Sequence, residues 1–213
     1  MTGTDQEWDA IVLAGGRSRR LGGTDKTALR FEGKSLLDHA LSAVSGARRV
    51  VVVGPEDLRG RLPRTVSLVR EHPPFGGPAA ATAAGLAALT RSDVGTIAVL
   101  AADLPFATEA MGELRAVGAL ASHADGVVAT DTAGRVQPLI ALYSAAALLT
   151  AVGSSRDLVG QSMRSLTNGM VLCQVRLSDR VCADIDTPAA ARLHGMRLLP
   201  VQAAERMTEF SLA

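Results

Sequence analysis

Short runs of β-branched and other apolar residues recur along the chain, and stretches rich in alanine and leucine separate most of them. Runs of this kind, bounded by Gly, Pro or Asp, are typical of buried strands. They predict strands at 10–14, 49–54, 66–69, 96–103, 126–130, 136–144 and 170–177. Helical apolar spacing predicts helices at about 34–45, 78–91, 107–121, 144–152, 157–166 and 187–195. The alternation of the two favours an α/β fold with a parallel sheet covered on both faces.

The organisation of the chain is that of one domain. No repeat, low-complexity linker or change of composition divides the 213 residues, and 47% hydrophobic residues suffices for one core. We therefore expect a single domain over 1–213, with its core at about 8–195 and a C-terminal extension at 196–213. Pro138, near the start of a predicted strand, favours an edge position or irregular pairing there.

Charge and composition exclude several classes of function. The chain has 22 basic and 21 acidic residues, which argues against a general binder of nucleic acid or membrane surfaces. Only 3% of the residues are aromatic, so a base-stacking platform for single strands is not expected. The first residues do not form a signal peptide and no apolar run could span a membrane, so we expect a cytoplasmic protein. Cys173 and Cys182 are far from metal-ligand spacing and are interpreted as core thiols in a reducing compartment.

The first predicted strand runs into a loop rich in glycine and positive charge. Gly15 and Gly16 follow the strand directly, where small residues let backbone N–H groups approach an anion. The loop also contains four basic residues, Arg17, Arg19, Arg20 and Lys26. The spacing of its glycines fits neither a P-loop nor a dinucleotide-binding fingerprint. The pattern favours binding of a polyphosphate at the carboxyl edge of the sheet, and a solvated basic turn is the alternative.

A carboxylate is expected at the same edge. Asp103 follows the apolar run of a later predicted strand, so its side chain should emerge beside the loop that begins at Gly15. A carboxylate facing a polyphosphate would repel it unless a divalent cation lay between them, and Mg²⁺ takes carboxylate and phosphate oxygens together. The alternative is that Asp103 caps the following helix, although Thr108 is better placed for that.

Five segments carry a resemblance to a known family. The pattern L-A-G-G-x-x-x-R-[LM]-G-G-x-D-K at Leu13–Lys26 resembles the signature loop of the molybdenum cofactor guanylyltransferases, within the wider nucleotidyltransferase group. FGGPAAAT, LAADLP, QPLIALY and DIDTPAA resemble further landmarks of that family in the same order. The likeness covers roughly residues 8 to 195. It implies a three-layer αβα nucleotide-binding (Rossmann-like) domain with a mostly parallel sheet.

The activity implied by the resemblance is transfer of GMP from GTP to the terminal phosphate of molybdenum-molybdopterin. The products would be molybdopterin guanine dinucleotide and pyrophosphate. The implied cofactor is Mg²⁺, and further partners would be molybdoenzymes or other cofactor-biosynthesis proteins, with neither nucleic acid nor membrane. A related transferase that uses CTP or a sugar-phosphate acceptor is the nearest alternative, and Gly15-Gly16 after Ala14 favours the guanylyl branch. A non-catalytic nucleotide-binding homologue and a nicotinamide dehydrogenase are less favoured.

The resemblance also implies roles for particular residues. Arg20, Lys26 and Asp103 are the expected catalytic residues, and Asp103 with Asp186 would bind the metal, with Asp184 as the alternative second ligand. Asp186 or Thr187 could instead cap the last predicted helix. The nucleotide would be bound by Leu13, Ala14, Gly15, Gly16, Lys26, Gly54, Glu71, Gly77 and Asp103.

Three of these positions leave alternatives open. Glu71 could accept hydrogen bonds from N1–H and N2–H₂ of guanine, or it could be a solvated loop residue. Gly54 stands where the family often has Asn, so it can offer only backbone. Arg156 could pair with a phosphate of the second substrate, or it could be a surface charge.

Overall fold

The structure is a computed structural model, and it describes residues 7–15, 29–89, 93–119, 121 and 123–185. The strands are β1 (Trp8–Leu13), β2 (Arg30–Phe31), β3 (Lys34–Ser35), β4 (Val50–Val53), β5 (Val66–Val69), β6 (Thr96–Ala101), β7 (Gly126–Thr130), β8 (Val136–Ser144) and β9 (Leu172–Arg176). The α-helices are α1 (Leu36–Ala43), α2 (Pro78–Ala88), α3 (Ala107–Gly118), α4 (Ala145–Ser154), α5 (Met163–Leu166) and α6 (Asp179–Cys182). A 3₁₀ helix covers Glu56–Arg61.

Seven strands form the central sheet in the order β5-β4-β1-β6-β8-β7-β9. All neighbouring pairs in it are parallel except those of β8, which is antiparallel to both β6 and β7. The expectation of a mostly parallel α/β sheet is confirmed. The carboxyl ends of β1, β4, β5 and β6 therefore meet at one edge, and β8 begins at that edge.

The sheet has a hydrophobic core on each face. Alternate residues of β1 serve different cores: Ala10 and Val12 pack with α1 and α3, whereas Ile11 and Leu13 pack with α2 and α4. All four side chains are buried, as the period of two along a strand requires when both faces are covered. The αβα layering is confirmed.

A glycine lets α2 approach the sheet closely. A Cβ added at Gly85 would lie 2.5 Å from Ile11 Cγ2 and 3.1 Å from Val53 Cγ2. Because real Cβ atoms do not come so close to other carbons, the spacing between α2 and strands β1 and β4 depends on the missing side chain. Gly85 thus positions the helix whose N-terminal end lies at the carboxyl edge of the sheet.

Strand β8 leaves its partner β7 for a short stretch. Val128 pairs with Ala141, but the next residue, Ala129, pairs with Gln137. Residues 138–140 of β8 therefore have no counterpart on β7, and we call this stretch the β8 excursion. Pro138 lies in this excursion, which confirms the irregular pairing expected there, although β8 is an interior strand. The Tyr143 hydroxyl donates to the Pro138 carbonyl oxygen over 2.8 Å and fixes the excursion.

Several boundaries differ from expectation. The first predicted helix begins at Leu36, because Ser35 and Asp38 form a capping box and the preceding residues form the β2–β3 hairpin. Only the last turn of the helix expected at 157–166 is helical, because Asp157 and Gly160 form a turn before it. The 3₁₀ helix, the hairpin and α6 were not predicted. The helix expected at 187–195 and the extension at 196–213 lie outside the described residues.

Both cysteines are free thiols. Cys182 is buried and Cys173 partly buried, in agreement with the interpretation as core residues. Burial raises the pKa of the Cys182 thiol to about 11, so this group is protonated near neutral pH. None of the described helices has the length and apolar character needed to cross a bilayer.

Candidate functional site

The loop after β1 and the loop after β6 begin side by side. Leu13 and Ala101, the last residues of the two strands, are in register, and Ala102 donates its N–H to the Leu13 carbonyl oxygen over 3.0 Å. Gly15 and Asp103 follow within two residues on their respective strands. The glycine-rich loop and the segment that carries Asp103 therefore leave the sheet at the same edge, as the sequence predicted.

A pocket of about 460 Å³ opens at this edge. Its lining includes five residues expected at the site from the sequence, Leu13, Gly15, Glu71, Gly77 and Asp103, and the alternative metal ligand Asp184. Much of the remaining wall comes from α2 and from the excursion of β8. The pocket combines an apolar wall with a few polar groups, which is the usual composition of a small-molecule site.

Glu71 lies just beyond β5 and is only 7% exposed. Its Oε1 accepts the backbone N–H of Phe75 over 2.9 Å, so the carboxylate closes the turn that leads towards α2. A Cβ at Gly15 would lie 3.9 Å from the same oxygen. Glu71 is therefore a buried residue at the pocket wall, beside the start of the β1 loop, and its carboxylate is fixed by the hydrogen bond from Phe75. The alternative of a solvated loop residue does not fit this burial.

Gly77 shapes the entry into α2. Its φ of 90° lies in the region that favours glycine, and a Cβ there would come within 3.3 Å of the Gln161 carbonyl oxygen. Pro78 follows at the first turn of the helix, where its missing N–H leaves no hydrogen bond unmade. The residues Gly77 and Pro78 thus bring the N-terminal end of α2 to the pocket.

Asp103 and Asp184 belong to segments that are joined by a backbone hydrogen bond. Ile185 donates its N–H to the Asp103 carbonyl oxygen over 3.1 Å, and its buried side chain anchors this contact. Both residues line the pocket. Within the described ranges no group of three or more His, Cys, Asp or Glu is placed to hold a metal ion. One or two carboxylates fit a hard cation that shares its remaining positions with phosphate oxygens and water.

The other residues expected at the site have different positions. Ala14 is buried beside Val53, and its N–H donates to the Val53 carbonyl oxygen. Gly54 is buried outside the pocket lining, donates its N–H to Val69, and has no space for a Cβ beside Leu58 Cδ1 and the Ala14 carbonyl oxygen. Arg156 is exposed and does not line the pocket. Gly16, Arg17, Arg19, Arg20, Lys26 and Asp186 lie outside the described residues.

Some pocket residues were not identified from the sequence. Phe75 is 50% exposed at the pocket, and the Arg70 guanidinium carbon lies 5.5 Å from the centre of its ring. Gln137 and the excursion 138–140 form much of the opposite wall. The motif QPLIALY resembles a family landmark, but the sequence alone assigns no role to its glutamine. The only available signal was that a polar side chain precedes a proline at a strand start.

Known proteins are similar to this chain in sequence. The family model described as "MobA-like NTP transferase domain" matches residues 10–172. A molybdenum cofactor guanylyltransferase of Acidiphilium cryptum is 35% identical over 65% of this chain and 67% of its own length. A probable molybdenum cofactor guanylyltransferase of Opitutus terrae is 37% identical over 66% of this chain and 68% of its own.

The fold is also similar to that of a solved structure. Molybdopterin-guanine dinucleotide biosynthesis protein A from Archaeoglobus fulgidus superimposes with a TM-score of 0.65, at 22% identity, over 87% of this chain and 96% of its own. At this identity the likeness concerns the fold alone. The family model carries the relation further, because its match at residues 10–172 includes the strands that lead to the pocket.

Proposed function

The chain belongs to the MobA-like NTP transferases, and from this premise we propose that it transfers GMP from GTP to the terminal phosphate of molybdenum-molybdopterin. Molybdopterin guanine dinucleotide and pyrophosphate are the products. One observation carries the proposal: Gly15, Asp103 and the buried Glu71 line one pocket at the carboxyl edge of the sheet. The proposed roles of these residues are, in the same order, a phosphate-binding backbone, a ligand for a cation and an acceptor for a purine edge.

The chemistry requires little beyond positioning and charge neutralisation. A phosphate oxygen of the acceptor attacks the α-phosphorus of GTP, a new P–O bond forms, and the bond from the α-phosphorus to the bridging oxygen of pyrophosphate breaks. No covalent enzyme intermediate is needed. The proposed tasks of this chain are to orient the triphosphate with the backbone at Gly15 and Gly16 and to neutralise its charge with Arg20 and Lys26. The assignments of Arg20 and Lys26 rest on the signature loop in the sequence.

Mg²⁺ is the proposed metal, and Asp103 is its proposed protein ligand. Asp184 is a candidate second ligand. It lines the same pocket, and its neighbour Ile185 donates a backbone hydrogen bond to Asp103. Asp186 stays the other candidate from the sequence. When bound, the cation would offset negative charge on the phosphates as the leaving pyrophosphate departs.

Guanine is the proposed base because of Glu71. Its carboxylate can accept two hydrogen bonds, and the N1–H and 2-amino groups of guanine present two donors side by side. Cytosine presents no matching pair of donors on one edge. The guanylyltransferase names of the two relatives support the same choice. Arg156 as an acceptor contact, delivery of the product to molybdoenzymes or other cofactor-biosynthesis proteins, and a cytoplasmic location stay predictions.

The test is a transfer assay with Mg²⁺, molybdenum-molybdopterin and GTP. We expect pyrophosphate release that requires the acceptor and matches the dinucleotide formed mole for mole. Omission of the acceptor and addition of excess EDTA are the controls, and each should abolish the release. Pyrophosphate release at the same rate without acceptor would contradict transfer, because it would indicate hydrolysis of GTP.

A further inference from the structure

Gln137 lies across the pocket from Glu71. Glu71 follows β5 at one end of the sheet order, whereas Gln137 stands at the start of β8, and strands β4, β1 and β6 lie between. Gln137 is partly buried and lines the pocket next to Pro138. A substrate group near Gln137 is therefore on the side away from the proposed guanine position.

Asp131, which precedes the turn into β8, is an acceptor-only group beside Gln137. It is 2% exposed and accepts the Arg135 backbone N–H over 2.9 Å and Arg135 Nε over 2.6 Å. These hydrogen bonds, with the backbone bond to Arg135 as the largest influence, hold the pKa of Asp131 below its usual value. The carboxylate is therefore ionised at neutral pH and can only accept hydrogen bonds.

The charge on Asp131 determines which way the Gln137 carboxamide faces. Gln137 Nε2 lies 3.5 Å from Asp131 Oδ2, at the long end of hydrogen-bond distances. The reverse orientation would place the amide oxygen against a carboxylate, where two acceptors repel each other. Hence Nε2 faces Asp131 and Oε1 faces away from it. Among the described residues, none donates a hydrogen bond to Gln137 Oε1.

We propose that Gln137 Oε1 accepts a hydrogen bond from the pterin ring of the acceptor substrate, and that Asp131 is the positioning residue that keeps this oxygen directed at the pocket. The inference rests on the proposed function for the identity of the acceptor. Guanine and pterin share a 2-amino-4-oxopyrimidine edge with adjacent N–H donors, so both could use such an oxygen. The position of Gln137 across the pocket from Glu71 assigns it to the pterin.

The experiment measures binding, so that it does not depend on turnover. The probes are 6-hydroxymethylpterin phosphate, followed by its own fluorescence anisotropy, and GDP, followed by calorimetry. The variants are Gln137→Met, which keeps the shape and removes the amide, and Asp131→Asn, which removes the charge. The matched control is Gln174→Met, at an exposed position on β9.

We expect Gln137→Met to raise the Kd of the pterin about tenfold, the effect of one lost neutral hydrogen bond, with the Kd of GDP within twofold of wild type. Asp131→Asn should raise the pterin Kd in the same direction by a smaller factor, and Gln174→Met should change neither. A higher Kd for the pterin with an unchanged Kd for GDP would not result from a merely structural role, because a structural defect would weaken the binding of both ligands.

Three results would overturn the inference: no pterin binding to the wild-type protein, a pterin Kd unchanged in Gln137→Met, or equal losses for the pterin and GDP. The proposed function can fail separately. Gln137-dependent pterin binding without transfer of GMP would support the inference and contradict the activity. Transfer of GMP by the wild-type protein, with an unaltered pterin Kd in Gln137→Met, would support the activity and contradict the inference.

Discussion

Ile185 donates its backbone N–H to the carbonyl oxygen of Asp103 over 3.1 Å. The two residues are 82 positions apart in the sequence (185 − 103), yet this bond joins the segment that carries Asp184 to the end of β6. A site that needs two carboxylates can therefore be assembled from the middle and the last described part of the chain.

Replacement of Asp103 by Asn should reduce kcat at least a hundredfold while leaving the fold intact. The expected loss is on the order of 3 kcal/mol of transition-state stabilisation, as is typical when one preorganised charged contact is removed. Initial rates of pyrophosphate release would measure it. Asp57→Asn, an exposed position on the 3₁₀ helix, is the matched control. A rate for Asp103→Asn above a tenth of wild type would remove the residue from the catalytic set.

Replacement of Asp184 by Asn should raise the Mg²⁺ concentration needed for half-maximal rate and leave the rate at saturating Mg²⁺ much less affected. The reason is that a lost metal ligand weakens binding of the cation, which mass action then restores. Titration of the rate with MgCl₂ measures this shift. An unchanged titration curve would show that Asp184 is not a ligand and would favour Asp186.

Replacement of Glu71 by Gln should raise the KM for GTP about tenfold or more, because a carboxylate that accepts two donors is replaced by a group with one oxygen. The fold should be retained, since Gln can still accept the Phe75 N–H that Glu71 accepts at 2.9 Å. The KM for GTP and for the acceptor should be measured separately, with Glu56→Gln as the exposed control. Equal increases in both KM values would argue against base recognition by this residue.

A pair of glycine substitutions tests the packing of α2 on the sheet. Gly85→Ala should lower the free energy of unfolding by about 1–3 kcal/mol, because the added methyl would lie 2.5 Å from Ile11 Cγ2. Gly112→Ala in α3 should raise it by about 0.5–1 kcal/mol, since nothing lies within 4 Å of that Cβ and alanine favours helix. Urea denaturation measures both. An unchanged or increased free energy of unfolding for Gly85→Ala would contradict the close contact at Gly85.

The stabilising effect of Asp131 should depend on pH. Its pKa is lowered in the folded state, first by the hydrogen bond from the Arg135 backbone N–H, so the folded protein binds that proton less readily than the unfolded chain. The stability difference between wild type and Asp131→Asn should be fully present above the unfolded pKa of about 4. It should shrink as the pH falls through the folded pKa. Urea midpoints of both proteins at pH 7, 4 and 3 measure this, and a constant difference would contradict it.

The sequence allowed the layering and several of the residues that line the pocket to be predicted, because local patterns determine them. Apolar runs indicated the strands that lead to Gly15 and Asp103, and helical apolar spacing indicated α2. The sequence does not distinguish a buried from a solvated Glu71, since its burial depends on where the turn to Phe75 packs. The proposed role of Gln137 could not be predicted, because it depends on a register shift that brings the amide towards Asp131.

The measurement that tests guanylyl transfer most directly is a competition. The protein would be incubated with Mg²⁺, molybdenum-molybdopterin and an equimolar mixture of GTP, CTP, ATP and UTP, and the dinucleotide product would be identified by mass spectrometry. The pocket with Glu71 beside Gly15 and Asp103 predicts that the product carries GMP. A product that carries CMP would contradict the assignment of the base, and the absence of any pterin dinucleotide would contradict the activity itself.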